Sequence, residues 1–177
     1  HLSHPTAAER AGRVGARAAG HAARRRERRC RGTVGCTRRG GARGGLPENA
    51  KKLKKIFKEH QGMLISSPEY NSSFSAALKN AIDWASRPEP GEKPLEMFSG
   101  KIVGVMAASP GALGGLRGLV PLRMLLGNIN MLVVPNQIAV SSAADAFDEK
   151  GNLKDEKKQA QVVAIGARVT ELAKAIS

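Results

Sequence analysis

Two short segments of this chain combine residue types that bind ligands through the backbone. The first is Ser67-Pro68-Glu69-Tyr70-Asn71, and the second is Ser109-Pro110-Gly111-Ala112-Leu113-Gly114-Gly115-Leu116-Arg117. Proline fixes the geometry of a turn, and glycine lets the backbone approach a ligand closely. Tyr70 adds an aromatic ring that can lie beside a flat ligand. Turns rich in free backbone N–H groups suit a planar heteroaromatic with carbonyl oxygens and ring nitrogens along its edge.

The elements around these two segments alternate between helix and strand. Short apolar runs predict buried strands at 63–67, 101–107 and 130–135. Apolar residues at helical spacing predict helices over four ranges: 46–61, from Asn71-Ser72-Ser73 to 85, 113–126 and 154–176. The remaining 136–153 is predicted to be a loop with a turn at 149–152.

This alternation predicts an α/β fold with a parallel sheet and right-handed crossovers. Ligands of such sheets bind at the carboxyl ends of the strands. Because both candidate segments end predicted strands, we expect them to emerge on one edge of the sheet. Three strands are few for a sheet covered on both faces, so the missing strands are expected before residue 46.

Charge and apolar content divide the chain near residue 45. The whole chain carries 29 basic and 15 acidic residues, a formal charge of +14. Residues 1–45 hold 12 arginines, no lysine and only two acids, with no phenylalanine, tyrosine, tryptophan, isoleucine or methionine. Residues 46–177 are nearly balanced and hold every aromatic residue. We therefore treat 46–177 as the globular domain and expect 1–45 to be disordered or loosely helical by itself.

Three interpretations of residues 1–45 stay open. The run Arg24-Arg25-Arg26-Glu27-Arg28-Arg29 could contact phosphates, but it lacks the interleaved aromatic residues that stack on bases, so nucleic acid is not the expected partner. An arginine-rich, acid-poor segment also fits an organelle transit peptide, although this one is poor in serine. The third interpretation, which we favour, is a segment that is not native coding sequence.

Other broad classes receive little support from the sequence. The apolar runs are far shorter than the roughly 18 residues of a membrane span. Two cysteines, Cys30 and Cys36, are too few for a disulfide scaffold, and with His21 they lack a fourth ligand at zinc spacing, so no metal site is expected.

A family resemblance appears in the first segment and the helix after it. Pro68-Glu69-Tyr70-Asn71, with 78–88 reading Leu-Lys-Asn-Ala-Ile-Asp-Trp-Ala-Ser-Arg-Pro, resembles the signature of the NADPH-dependent FMN reductase family, which includes flavodoxin-like chromate, azo and quinone reductases. The segment 109–117 resembles the second flavin loop of that family, and 147–153 resembles its C-terminal turn. The likeness covers about 46–177.

The resemblance implies a flavodoxin-like three-layer sandwich that binds FMN. It implies a flavoprotein that passes hydride from NAD(P)H through FMN to a quinone, azo compound or similar small-molecule acceptor, with no catalytic acid or base. It also implies cofactor contacts along the two loops, from the residues Pro68, Glu69, Tyr70, Asn71, Ser109, Pro110, Gly111, Ala112, Gly114, Gly115 and Arg117. The family further suggests a cytoplasmic homodimer or homotetramer, with organelle import as an alternative if 1–45 is a transit segment.

One feature of the family is missing from the sequence. Its FMN phosphate lies in a serine- and glycine-rich turn that follows the first strand, and no apolar strand precedes residue 46. We therefore expect the N-terminal strands to be missing or degraded. The alternative function is a catalytically impaired, truncated flavodoxin-like fragment with a basic N-terminal arm.

Overall fold

Apolar spacing organises residues 45–176, the part of the chain that the computed structural model describes, into ten elements. In chain order these are α1 (Glu48–Glu59), β1 (Gly62–Ser66), β2 (Glu69–Tyr70), β3 (Ser73–Phe74), α2 (Ala76–Ala85), β4 (Ile102–Ala108), α3 (Leu116–Asn128), β5 (Leu132–Val140), α4 (Ala143–Ala146) and α5 (Glu156–Ala175). The prediction of a disordered or loosely helical N-terminal segment falls on residues 1–44, outside the described range, and stays a prediction.

The central sheet is parallel, as the alternation of helices and strands predicts. Its strand order is β1-β4-β5. Ser66 at the end of β1 pairs with Met106, and Ala108 at the end of β4 pairs with Val140. All three strands therefore bring their carboxyl ends to the same edge of the sheet.

Helices cover both faces of this sheet, which confirms the three-layer α/β architecture. Alternate residues of β4 face opposite sides because side chains of a strand point up and down in turn. Val103 and Val105 pack into a core with Leu119 and Leu122 of α3, and with residues of α1 and α2. On the other face, Ile102 packs with Ile165 and Val169 of α5.

The third strand is longer than the sequence predicts. We expected β5 to end at Pro135, but it continues to Val140, and the short helix α4 follows within the predicted loop. The pairing of β4 with β5 shifts register between Val103 and Val105, opposite Val134-Pro135-Asn136. A proline is tolerated at such an irregularity on an edge strand. Arg123 donates to the carbonyl of Val134 there at 2.9 Å.

The beginning of the second helix was predicted wrongly. Asn71-Ser72-Ser73 does not open a helix; β2 and β3 form a small antiparallel hairpin around it. Asn71 and Ser72 both have positive φ, at 49° and 64°, as the two-residue type I′ turn of a hairpin requires. The helix begins at Ala76, and Ser75 caps it by accepting a hydrogen bond from the N–H of Leu78.

A buried ion pair anchors α1 to the loop that precedes β4. The side chain of Lys54 is 3% exposed, and its ammonium bonds the carboxylate of Glu92 and donates to the carbonyl of Arg87 at 2.8 Å. Burial alone would raise the pKa of Glu92. Hydrogen bonds from Lys54, the Glu89 N–H and Lys58 outweigh it and lower that pKa from 4.5 to about 2.

Glu92→Gln is therefore expected to destabilise the fold by about 3 kcal/mol, because it leaves the buried ammonium of Lys54 without its main counter-charge. The free energy of unfolding from urea titration at pH 7 measures this. The folded pKa of Glu92 lies below its unfolded value of 4.5. The difference in free energy of unfolding between the native protein and Glu92→Gln is therefore complete above pH 4.5 and shrinks as the pH falls from 4.5 towards 2.

Glu48→Gln is the matched control for that substitution. Glu48 also pairs with a lysine of α1, Lys51, at 2.9 Å, but both side chains are exposed, so the urea midpoint should not change measurably. Equal losses in the two variants would contradict the importance of the buried pair.

Candidate functional site

The pairing of β1 with β4 places the two candidate loops side by side. The N–H of Ser67 donates to the carbonyl of Met106 at 3.1 Å and extends the parallel ladder by one residue beyond β1. The second loop leaves β4 two residues later, and the N–H of Ser109 donates to Val140 at 3.0 Å. Both loops thus start from hydrogen-bonded positions on neighbouring strands.

Ser67 fixes the hairpin that carries the first loop. Its hydroxyl is buried between the two ends of the hairpin, where it accepts from the N–H of Ser75 at 3.1 Å and donates to the carbonyl of Pro68 at 3.0 Å. Pro68 and Asn71 are exposed, and Tyr70 is 63% exposed. The hairpin therefore presents its backbone and one aromatic ring to solvent.

Two glycines let the second loop fold against the sheet. Gly114 and Gly115 are buried and have φ of +60° and +91°, a region that other residues rarely adopt. A Cβ on Gly114 would lie 2.6 Å from the backbone nitrogen of Ser141, and one on Gly115 would lie 2.7 Å from the Cβ of Ala107. Glycine is required at both positions by backbone conformation and by close packing.

Glu69 and Arg117 connect the two loops. The Oε1 atom of Glu69 accepts from Nε and lies 2.7 Å from Nη2 of Arg117, and its Oε2 atom accepts from the backbone N–H of Arg117 at 3.1 Å. Arg117 is the second residue of α3, so the carboxylate of Glu69 also lies at a helix N-terminus, where negative charge is favourable. Two of the predicted site residues are thus in direct contact.

Several backbone N–H groups of the two loops have no acceptor within residues 45–176. In the second loop, Gly114 donates to Gly111, whereas Ala112, Leu113 and Gly115 donate to no group in this part of the chain. At the tip of the hairpin the same holds for Asn71 and Ser72. Unpaired donors on two adjoining loops are the property that a ligand with acceptor atoms on its edge needs.

A separate cavity adjoins this edge of the sheet on the α5 side, and sequence reasoning missed it. Its volume is about 340 Å³, within the usual size of ligand pockets. None of the eleven predicted residues lines it; its walls include Ser66, Met106, Phe147, Asn152 and Gln159. The resemblance of 147–153 to the C-terminal turn of the family is the one signal that pointed to part of this wall.

Within residues 45–176, no cluster of three or more histidine, cysteine, aspartate or glutamate side chains is arranged to hold a metal ion. In the same range, no helix has the length and apolar character needed to cross a membrane.

Comparison with known proteins assigns this chain to a family. A sequence profile of the NADPH-dependent FMN reductase family matches residues 10–145. The chain is 38% identical over 115 residues to an NAD(P)H-dependent FMN reductase of Pseudomonas aeruginosa, and 34% identical over 113 residues to a quinone reductase of Pseudomonas putida. The chain therefore belongs to the NADPH-dependent FMN reductase family.

These alignments cover part of each protein. They include 64% and 63% of this chain and 59% of each of the two relatives, so the chain spans less than two thirds of the length of those relatives. A 2-hydroxy-1,4-benzoquinone reductase of a Burkholderia species is 32% identical over 63% of this chain and 59% of its own length.

Solved structures of similar fold agree with the family assignment. The flavoenzyme NAD(P)H:(acceptor) oxidoreductase FerB of Paracoccus denitrificans has a TM-score of 0.58 and 27% identity, covering 72% of this chain and 67% of its own. An oxidoreductase of Corynebacterium diphtheriae, at 15% identity, shares the fold with a TM-score of 0.57, covering 74% of this chain and 65% of its own. The flavodoxin-like fold expected from the sequence is confirmed.

Gly114→Ala tests the conformation of the second loop. The new methyl group would meet the backbone of Val140 and Ser141 in a left-handed residue, so the substitution should destabilise the fold by about 2 kcal/mol or more. Urea titration measures the loss.

Gly127→Ala is the control. Gly127 is a helical residue of α3 with nothing within 4 Å of an added Cβ, so alanine should leave stability unchanged or raise it by about 0.5–1 kcal/mol. A tolerated alanine at 114 would show that this turn is not held as described.

Proposed function

We propose that this chain is the flavin-binding part of an NAD(P)H-dependent oxidoreductase that uses FMN to pass hydride to a quinone, an azo compound or a similar small acceptor. The unpaired N–H groups at Asn71, Ser72, Ala112, Leu113 and Gly115 carry the proposal, since they lie on the two loops whose sequences resemble the flavin loops of the family. The names of the relatives, FMN reductase and quinone reductase, support the same assignment.

The residues present fit one side of an isoalloxazine ring. We assign its contacts to Pro68, Glu69, Tyr70 and Asn71 in the hairpin, and to Ser109, Pro110, Gly111, Ala112, Gly114, Gly115 and Arg117 in the second loop. The glycine backbone comes close to neighbouring groups without side chains in between, and backbone donors match the carbonyl oxygens and ring nitrogens of a flavin. When bound, FMN supplies hydride transfer.

The chain itself supplies binding and orientation in this proposal. Backbone donors of the two loops would hold the ring edge, and the exposed ring of Tyr70 would lie beside it. The carboxylate of Glu69 already accepts from Arg117 through both oxygens, so it is not a free base. No protein acid or base is assigned a catalytic role.

The proposed domain, residues 46–177, has one open side. In the flavodoxin-like strand order, the first strand pairs beside the third. We assign β1 to the place of that third strand, and β1 has a partner on one side only within residues 45–176. Leu64 in β1 is 50% exposed. Residues 10–44 are included in the family match, but their sequence has no run of apolar residues followed by a serine- and glycine-rich segment. We infer that 1–45 is a poor or non-native substitute for the phosphate-binding unit.

This inference supports a second candidate, a catalytically impaired fragment with a basic arm. The two candidates differ in one measurable property, the affinity for FMN. Each charge-assisted hydrogen bond lost from a phosphate site costs about 1.5–3 kcal/mol, which is about tenfold or more in affinity for each bond.

Flavin fluorescence titration is the test. The chain as given should bind FMN weakly or not at all. Replacing residues 1–45 with the corresponding strand, loop and helix of the Pseudomonas aeruginosa relative should restore tight binding. Tight binding by the original chain would overturn the importance of the missing loop, and no binding by the restored chain would overturn the flavin assignment.

Tyr70→Ala serves as the graded variant in the restored chain. Because the donors are backbone groups, losing this ring should weaken FMN only partly, by about 10-fold from one stacking contact of about 1–1.5 kcal/mol.

We also propose that the protein is a cytoplasmic homodimer or homotetramer. Exposed apolar residues of the second loop and α3 support self-association: Leu113 at 51%, Leu116 at 43%, Val120 at 66% and Met124 at 65% exposure. The last three recur every four residues and so form one stripe on the helix. The remaining leucines Leu119, Leu122 and Leu126 are buried in the core of the domain.

The double substitution Val120→Glu with Met124→Glu should dissociate this assembly. Burying each side chain contributes about 1.5–3 kcal/mol, so the dissociation constant should rise by about 100-fold or more, as measured by sedimentation velocity. Ile56→Glu changes another exposed apolar position, on α1 at 53% exposure; it is the control and should leave the assembly intact.

A further inference from the structure

Glu69 is the most constrained charged side chain of the two loops. Only 7% of its side-chain surface is exposed, whereas its partner Arg117 is 61% exposed. One carboxylate oxygen accepts from Nε and pairs with Nη2 of Arg117, and the other accepts from the backbone N–H of the same residue. The side chain of Glu69, in the first loop, therefore bonds both the backbone and the side chain of Arg117 in the second loop.

Two glycines lie beside Glu69. The position of an added Cβ on Gly115 is 3.7 Å from the Cβ of Glu69, and on Gly118 it is 3.4 Å from that atom and 3.2 Å from the carbonyl oxygen of Ser73. The absence of a side chain at 118 lets α3 lie directly against the hairpin, whereas glycine at 115 avoids a close contact with Ala107 of β4. The ion pair and Gly118 thus both hold α3 against the hairpin.

We propose that Glu69 is a positioning residue that sets the separation of the two loops, and that Arg117 serves it as a clamp and not as a phosphate-binding cation. The proposal rests on the proposed function for its flavin readout, because the unpaired N–H groups of Ala112, Leu113 and Gly115 lie in the five residues before Arg117. The bonds to Glu69 fix the position of Arg117 and so of the start of α3. The turn that carries these donors directly precedes α3, so its position is fixed as well.

The charge balance of the pair argues against the alternative role for Arg117. A free guanidinium at the end of a loop would attract the phosphate of FMN or of NAD(P)H. Here its charge is compensated at 2.7 Å by a carboxylate that is itself nearly buried, so the pair is neutral to an approaching anion. The geometry therefore favours a structural role for Arg117, paired with Glu69, over a role in binding an anion.

The first experiment needs no ligand. Glu69→Gln, Arg117→Gln and the double variant are compared by urea titration, with Arg117→Lys as the conservative variant. Each single substitution should lower the folding equilibrium constant by about 10-fold, and the double should lose no more than the worse single, because the lost interaction is the same. Lysine keeps the charge but lacks the fork of the guanidinium, so it should fail to restore the native value.

Amide hydrogen exchange locates the effect. In Glu69→Gln, the hydrogen-bonded amides of Gly114, Leu116 and Arg117 should exchange at least 10-fold faster. Amides of β4, which open only on global unfolding, should accelerate by no more than the fold-change that urea titration measures. The exposed pair Lys79–Asp83 on α2, at 2.7 Å, supplies the control: Asp83→Asn should change neither the urea midpoint nor this exchange. Additive losses in the double variant, or unchanged exchange in the second loop, would overturn the proposal.

The second experiment uses the chain with a restored N-terminal unit, under conditions in which all variants are folded. FMN and riboflavin, which lacks the phosphate, are titrated separately. Glu69→Gln and Arg117→Gln should weaken both flavins by the same factor, about 10-fold or more, because the clamp acts on the ring-binding loops. A loss confined to FMN would show that Arg117 binds the phosphate and would overturn the proposal.

The two experiments separate the possible failures. If the restored chain binds neither flavin, the proposed function fails. The role of Glu69 is then decided by the double-mutant cycle from urea titration together with hydrogen exchange. If both flavins bind but the cycle is additive, the flavin assignment stands and the clamp is rejected.

Discussion

The parallel pairing of β1 with β4 is the constraint on which the rest of the site depends. Neighbouring parallel strands lie only about 4.8 Å apart and end on the same edge of the sheet. The register that pairs Ser66 with Met106 therefore brings a hairpin and a glycine-rich turn together, although about forty residues separate them in the chain. Once this register is set, the remaining freedom of the site lies in the turns themselves.

Charged side chains limit that remaining freedom at two places. Lys54 ties α1 to the loop before β4 through Glu92, and Glu69 ties the hairpin to the start of α3. In both cases one partner is almost fully buried and holds an irregular segment rather than a regular element. Buried ion pairs contribute little net stability when compared with apolar packing. Their value here is geometric, since each one selects a single arrangement of a loop that has few apolar side chains to pack.

The sequence predicts the regular elements well because their apolar spacing is local information. It predicts the boundaries of α1, β1, β4 and α5 to within about two residues, and those of α3 to within about three. It fails where one residue type serves two purposes: asparagine and serine cap helices, but they also form tight turns with positive φ. Asn71-Ser72 therefore looked like a helix start, and the true cap is Ser75. The burial of Lys54 depends on a carboxylate 38 residues away, so no pattern of charges along α1 could reveal it.

The same distinction explains why the family can be recognised in this chain although its first 45 residues are rich in arginine and poor in apolar residues. The two site loops are specified by residues that shape a backbone: proline at 68, a positive-φ turn at 71–72, and glycines at 114 and 115 whose Cβ atoms would strike the neighbouring strand or loop. Such residues leave a signature in the sequence because few substitutes have the required geometry. The ligand-facing groups, in contrast, are N–H donors that every residue except proline carries. A site built in this way is recognised by the shape it imposes on the chain, and its affinity depends on how firmly contacts such as that of Glu69 with Arg117 hold that shape.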